Sequence, residues 1–246
     1  MNKNSNTYII VYSVVMVVIV ALLLSVAALS LKDRQEANML NEKKKAILES
    51  LHATDRNYDE YIRAYVVDAE GREVEGEDVF ELLKDVGGAY KAGKFPVFEA
   101  QDGRVVLPVT GTGLWGPIWG YVALEQDMNT LAGIIMDHKG ETPGLGAEIA
   151  TPKYQARFVG KTIFEGDEFR SVKLRKGGAQ DPAHEVDAIS GGTKTSDGVT
   201  AMLYNSIGHY LPLLEARRAA AAVPAEPSAG TEDAAVSNEE NVENNE

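Results

Sequence analysis

The longest uninterrupted apolar run is Tyr8 to Leu31, dominated by Val, Ile, Leu and Ala and free of charge. Wound as a helix it measures about 36 Å at ~1.5 Å per residue. That crosses a hydrocarbon core of about 30 Å with some tilt. A cleaved signal peptide competes with this reading, with small residues near Ala27 and Ala28 as a cleavage site. The run is longer than the about 7–15 residues of a usual signal core, so a membrane anchor is expected. Only Lys3 lies before the span, whereas Lys32, Arg34, Lys43, Lys44 and Lys45 follow it. By the positive-inside rule this distribution favours a cytoplasmic body.

From Lys32 to about Ala64 the chain is charged and rich in helix formers, with Met39, Leu40, Ile47, Leu48 and Leu51 recurring largely at helical steps. An amphipathic helical connector is expected, its KKK run on a solvated face. From about Arg63 the period changes. AYVVDAEG, PVFEAQ, GRVVLPVT, GYVALEQDM and LAGIIMDH read as short strands bounded by Gly, Asp and Pro. FEGDEFRSVKLRKG resembles a hairpin with Gly-Asp at its turn, and SDGVTAMLYNSIGHYLPLLEAR reads as a closing helix. Grouped strands followed by a helix predict an α+β domain with an antiparallel or mixed sheet and flanking helices. After Arg218 the chain is rich in Ala, Pro, Glu and Asn, nearly without large apolar residues, and disorder is expected over 219–246.

The formal net charge over 246 residues is −13, and seven of the acidic residues fall after Arg218. This balance argues against nucleic acid as a partner, because phosphate binding needs a basic face. The chain has no cysteine, which excludes disulfides, thiolate metal ligation and cysteine nucleophiles. His52, His138, His184 and His209 are scattered, none at a metal-ligand spacing from another.

Three stretches could carry chemistry. GTGLWG, Gly111 to Gly116, matches G-x-G-x-x-G, but Pro117 and a strand pattern follow where a dinucleotide fingerprint needs a helix. What remains is a glycine-rich turn carrying Trp115, whose ring could line an aromatic ligand. GETPGLGAEI, Gly140 to Ile149, makes a tight exposed turn in which unhindered amides could approach a ligand. EVDAISGGTKTSDGV, Glu185 to Val199, sets Ser190, Thr193, Thr195 and Ser196 among glycines just ahead of a helical pattern. Two readings stay open there: an anion site at a helix start, or plain N-capping by hydroxyls.

Taken together, GTGLWGPIWGYVALEQDMNTLAG, GETPGLGAEI, FVGKTIF, KGGA and EVDAISGGTKTSDGV resemble, in order and spacing, the C subunit of sodium-translocating NADH:quinone reductases, within the wider group of FMN-binding domains. The likeness covers roughly Leu107 to Arg218 and the N-terminal span. In that family a separate flavin transferase joins FMN through its phosphate to the threonine of a Ser-Gly-Ala-Thr motif. The matching residues here are Ser190, Gly191, Gly192 and Thr193, with Gly192 standing where the family usually has alanine. The resemblance thus implies covalent FMN on Thr193, with Thr195 and Ser196 as alternative acceptors by chemistry alone. Asp187 matches an upstream acid of the transferase motif. Glu141, Thr142, Gly144, Leu145 and Gly146 would border the flavin ring, with Leu114 and Trp115 beside it. Lys176 in KGGA, by its charge and not by the resemblance, would favour an anionic reduced or semiquinone flavin.

The same resemblance implies a redox subunit that relays electrons between partner subunits toward quinone while sodium is pumped. It also implies a single-pass protein of the cytoplasmic membrane with its flavin domain on the outer side, against the lysine count. The divisions expected are an N-terminal segment and transmembrane helix (1–31), a helical connector (32–64), an FMN-binding domain (65–218) and the tail (219–246). Two rivals are the G subunit of the related Rnf ferredoxin:NAD complex, which carries the same tethered FMN, and a cofactor-free membrane-anchored assembly module.

Overall fold

Residues 6–222 are described by a computed structural model; Lys3 and most of the expected tail, 223–246, lie outside the described residues. The apolar run and the connector form one helix, α1 (Asn6–Ser50). Its first part is exposed on every side, as a helix made to contact lipid would be, and Ile47, Leu48 and Ser50 are buried. The helix fits a membrane anchor by length and composition. After it come a single turn, α2 (Tyr58–Tyr61), and the first strand, β1 (Ile62–Val67), which begins inside the stretch read as connector.

The remaining elements are β2 (Glu73–Val74), α3 (Val79–Leu82), α4 (Val86–Lys91), β3 (Phe95–Ala100), β4 (Val105–Thr112), β5 (Pro117–Leu124), β6 (Leu131–His138), α5 (Pro152–Gln155), β7 (Phe164–Glu165), β8 (Glu168–Phe169), β9 (Lys173–Arg175), β10 (Glu185–Asp187), α6 (Thr193–Gly208) and α7 (Leu211–Ala222). Six strands form one antiparallel sheet in the order β2-β1-β3-β4-β5-β6. The fold is α+β, as the strand grouping predicted.

Both faces of the sheet are covered. Side chains alternate across it, so Val105, Leu107 and Val109 share a core with Val199, Met202, Leu203, Leu213 and Leu214 of α6 and α7. Val106, Tyr121, Ala123 and Ala132 belong to the other core, with Ile47, Leu48 and Leu51 at the end of α1. The approach of α1 is close enough that a Cβ on Gly133 would strike the Ser50 carbonyl oxygen. Arg104 Nη1 donates to the Leu51 carbonyl (2.9 Å), satisfying one of the carbonyls a helix end leaves open.

Two prolines interrupt the sheet. β3 and β4 pair only at Phe98↔Val106 and Glu99↔Val105, because Pro96 and Pro108 have no N–H to give. The Tyr210 hydroxyl donates to the Pro96 carbonyl (2.8 Å), and the Tyr90 hydroxyl donates to that of Pro108. Each fills a place the missing rungs vacate.

Besides the early start of β1, α7 runs through 219–222, which composition read as disordered, and two further elements differ from the sequence expectation. FEGDEF forms the β7–β8 hairpin, but Lys173–Arg175 leaves it and pairs in parallel with β10. The closing helix is two helices, α6 and α7, because Pro212 has no N–H to bond the Gly208 carbonyl.

α7 is clamped to the sheet by Arg217, which donates to both Glu99 carboxylate oxygens (2.9 Å each) and to the Tyr65 hydroxyl (2.8 Å). The Arg217 hydrogen bonds hold the Glu99 carboxyl below its usual range. A depressed folded-state pKa contributes stability above the unfolded value of about 4.3, lost as pH falls through the folded value. Arg217→Ala is therefore expected to lower unfolding free energy by about 1–3 kcal/mol at neutral pH. That difference should shrink as pH falls below the unfolded carboxylate value, which urea unfolding at neutral and at acid pH checks.

Candidate functional site

The three motif stretches converge at one end of the sheet. GTGLWG is the tip of the β4–β5 hairpin: Thr112 pairs with Pro117, and the Gly113 N–H donates to the Gly116 carbonyl (2.8 Å). No helix opens there. GETPGLG follows β6 and winds around the Thr142 carbonyl, which accepts from the N–H groups of Leu145 and Ala147 (3.1 Å each). Gly144 takes φ +74°, a left-handed conformation that favours glycine.

The start of α6 sorts the four hydroxyls. Thr195 and Ser196 are each 1% exposed, and both are engaged. The Ser196 hydroxyl accepts the Ile189 N–H (3.0 Å), and the Thr195 hydroxyl donates to Glu141 Oε2 (2.6 Å). Ser190 is exposed. Thr193 is the first residue of α6, and its N-cap, Gly192, brings no side chain to the free N–H groups. A 16-residue helix therefore presents its positive end and the hydroxyl-bearing segment together.

Glu141 is 5% exposed and joins all three stretches. Besides the Thr195 hydroxyl it accepts the Trp115 N–H at Oε1 (2.9 Å), and its own N–H donates to His138 Nδ1 (3.2 Å). A Cβ on Gly113 or on Gly146 would strike this carboxylate, so both glycines are walls of its niche. Each of the two Glu141 carboxylate oxygens accepts one of these bonds, from Trp115 or from Thr195. Spacing along the chain does not single out Gly113, and for His138 the one signal is its place three residues before Glu141.

The two loops that Glu141 ties to the start of α6 carry exposed apolar side chains. Leu114, Trp115 and Leu145 are 53%, 68% and 40% exposed. Leu145 lies against Gly191, where a Cβ would come within 2.7 Å of Leu145 Cδ2. Thr142 and Gly144 are exposed on the outer side of the same loop.

Asp187 and Lys176 stand to one side. Asp187 Oδ1 accepts the Ala179 N–H (2.7 Å), tying the KGGA loop to β10. Lys176 lines an open groove of about 630 Å³ along α6, shared with Asp197, Thr200 and Tyr204. Asp197 lies one helical turn after Thr193, so the groove runs away from the helix start.

Residues 113–208 match the FMN-binding domain family. The C subunit of the Na(+)-translocating NADH-quinone reductase of Neisseria meningitidis serogroup A is 33% identical over 249 residues, covering 89% of this chain and 96% of its own length. Its counterpart in Vibrio vulnificus is 34% identical over 208 residues, covering 73% of this chain and 82% of its own. The crystal structure of the counterpart from Parabacteroides distasonis superposes with a TM-score of 0.69 at 40% identity, over 75% of this chain and 96% of that one.

The glycine at position 192 has a local counterpart. A Cβ there would lie 2.9 Å from Ile189 Cγ2 and 3.1 Å from its Cβ, so alanine needs Ile189 to move. Gly192→Ala is expected to cost about 1–3 kcal/mol. In an Ile189→Ala background the penalty should fall by half or more, a coupling that a double-mutant cycle in urea measures.

Proposed function

Because the chain belongs to the C-subunit family of Na(+)-translocating NADH-quinone reductases, we propose that it carries FMN as a phosphoester on Thr193 and serves as an electron relay within that membrane complex. The observation that carries the reading is the Thr193 hydroxyl at an uncapped helix start, bordered by exposed apolar side chains.

The residues present fit the group. Gly191 and Gly192 leave the backbone of the turn open, because side chains there would collide with Leu145 and Ile189. The first N–H groups of α6 suit a phosphate by geometry and dipole. Leu114, Trp115 and Leu145 offer an apolar border for a flat ring, which otherwise stands in water. Thr195 and Ser196 are withdrawn from competition by their hydrogen bonds. When bound, the flavin supplies the redox chemistry, and the protein supplies position and electrostatics.

Electrons from NADH arrive through partner subunits in this proposal and leave toward quinone. The apolar part of α1 anchors the chain in the membrane, and a flavin transferase matures it on the outer side of that membrane. The chain has no charged residue within the span, so it does not by itself form a sodium path.

Co-expression with a flavin transferase, followed by a denaturing gel viewed under ultraviolet light, tests the attachment. The wild-type band should fluoresce and the Thr193→Ala band should be dark; a dark wild-type band beside a labelled control would sink the proposal. Lys176 places a positive charge in the groove along α6, to one side of the helix start, so its effect on the flavin is a longer-range one. Lys176→Ala is expected to lower the flavin midpoint potential in a redox titration, since an anionic reduced form loses a favourable neighbour.

A further inference from the structure

Glu141 is a buried carboxylate that forms no ion pair among the described residues. Such a group is costly unless donors and dipoles replace water. Here the replacements are the Trp115 N–H, the Thr195 hydroxyl and the positive end of α6, whose third residue is Thr195. The bond to Thr195 also has a geometric consequence. Residues two apart on a helix lie about 200° around its axis. Fixing Thr195 inward therefore fixes Thr193 outward. Gly192 contributes no side-chain cap, and the other side chain that holds this turn is Ser196, whose hydroxyl accepts the Ile189 N–H and ties the turn to β10's exit without reaching the loop after β6.

We propose that the Glu141–Thr195 hydrogen bond is a registration pin for flavin attachment, setting the rotation of the first turn of α6 so that the Thr193 hydroxyl is presented. Glu141 is then a positioning residue for the modification and has no contact with the flavin. This rests on the covalent reading given above. Without the pin, the first turn frays, and the phosphate acceptor is no longer held at one place. The reaction itself is unchanged: the Thr193 oxygen loses its proton and bonds the FMN phosphorus of a flavin dinucleotide bound to the transferase, while the phosphoanhydride bond of that dinucleotide breaks and the nucleoside monophosphate leaves.

Thr195 tests the pin with little change of shape. The full chain is co-expressed with flavin transferase, and flavin per chain is read by fluorescence, with the attached residue mapped by peptide mass spectrometry. Thr195→Val removes the hydroxyl and keeps the volume; labelling of Thr193 is expected to fall at least tenfold. Thr195→Ser restores the hydroxyl and should rescue labelling to within about twofold of wild type. Glu141→Gln accepts from Trp115 and donates to Thr195, and should likewise rescue what Glu141→Ala loses. Amide hydrogen exchange should show faster exchange at residues 193–196 in Thr195→Val, with the core strands unchanged. Thr195→Val labelled on Thr193 as fully as wild type would overturn the pin. A wild-type chain without flavin on Thr193 would instead overturn the covalent reading, so the two failures are separable.

Discussion

One buried carboxylate joins three segments that are distant in sequence. Glu141 bonds the backbone of Trp115, 26 residues before it, and the hydroxyl of Thr195, 54 residues after it. The hairpin tip, the loop after β6 and the start of α6 thus meet at a single side chain. Its niche exists because Gly113 and Gly146 have no Cβ. A side chain at either position would displace the carboxylate and leave two donors unpaired in the interior, each at a cost of about 1–3 kcal/mol.

That constraint gives the site its two sides. Inside, the polar groups are satisfied: Thr195 by Glu141, Ser196 by the Ile189 N–H. Outside, the helix start keeps a hydroxyl and N–H groups that no side-chain cap occupies. The same dipole serves an anion on each side, the fixed carboxylate beneath and the phosphate proposed above. Exposed Leu114, Trp115 and Leu145 are otherwise hard to explain, since they add nothing to the core and leave an apolar patch in water.

The sheet supplies the rigidity on which this depends. Both of its faces are packed, one against α6 and α7 and the other against the end of α1. The long apolar helix is continuous into that second core, with Ser50 against Gly133 and Leu51 held by Arg104. The flavin-family domain is therefore joined to the apolar helix by packed surface as well as by chain. Arg217 fastens α7, and the two tyrosines close the gap left by Pro96 and Pro108.

The sequence by itself determined the elements whose signal is local. A charge-free apolar run reads as a spanning helix, alternation reads as strands, and the glycine-proline clusters mark the turns that became the hairpin tip and the loop after β6. Pro117 after GTGLWG was enough to reject a dinucleotide site. The motif order also carried the family. Tertiary structure alone decided which hydroxyls are engaged, since Ser190, Thr193, Thr195 and Ser196 are chemically alike and differ only in what faces them. It alone turned Glu141 inward, set Lys176 in a groove beside α6, and paired Ile189 with Gly192. The break between α6 and α7 had a local cause in Pro212, yet the apolar periodicity ran through it. Spacing along a chain fixes periods and turns, whereas the partner of a side chain is fixed by contacts between segments tens of residues apart.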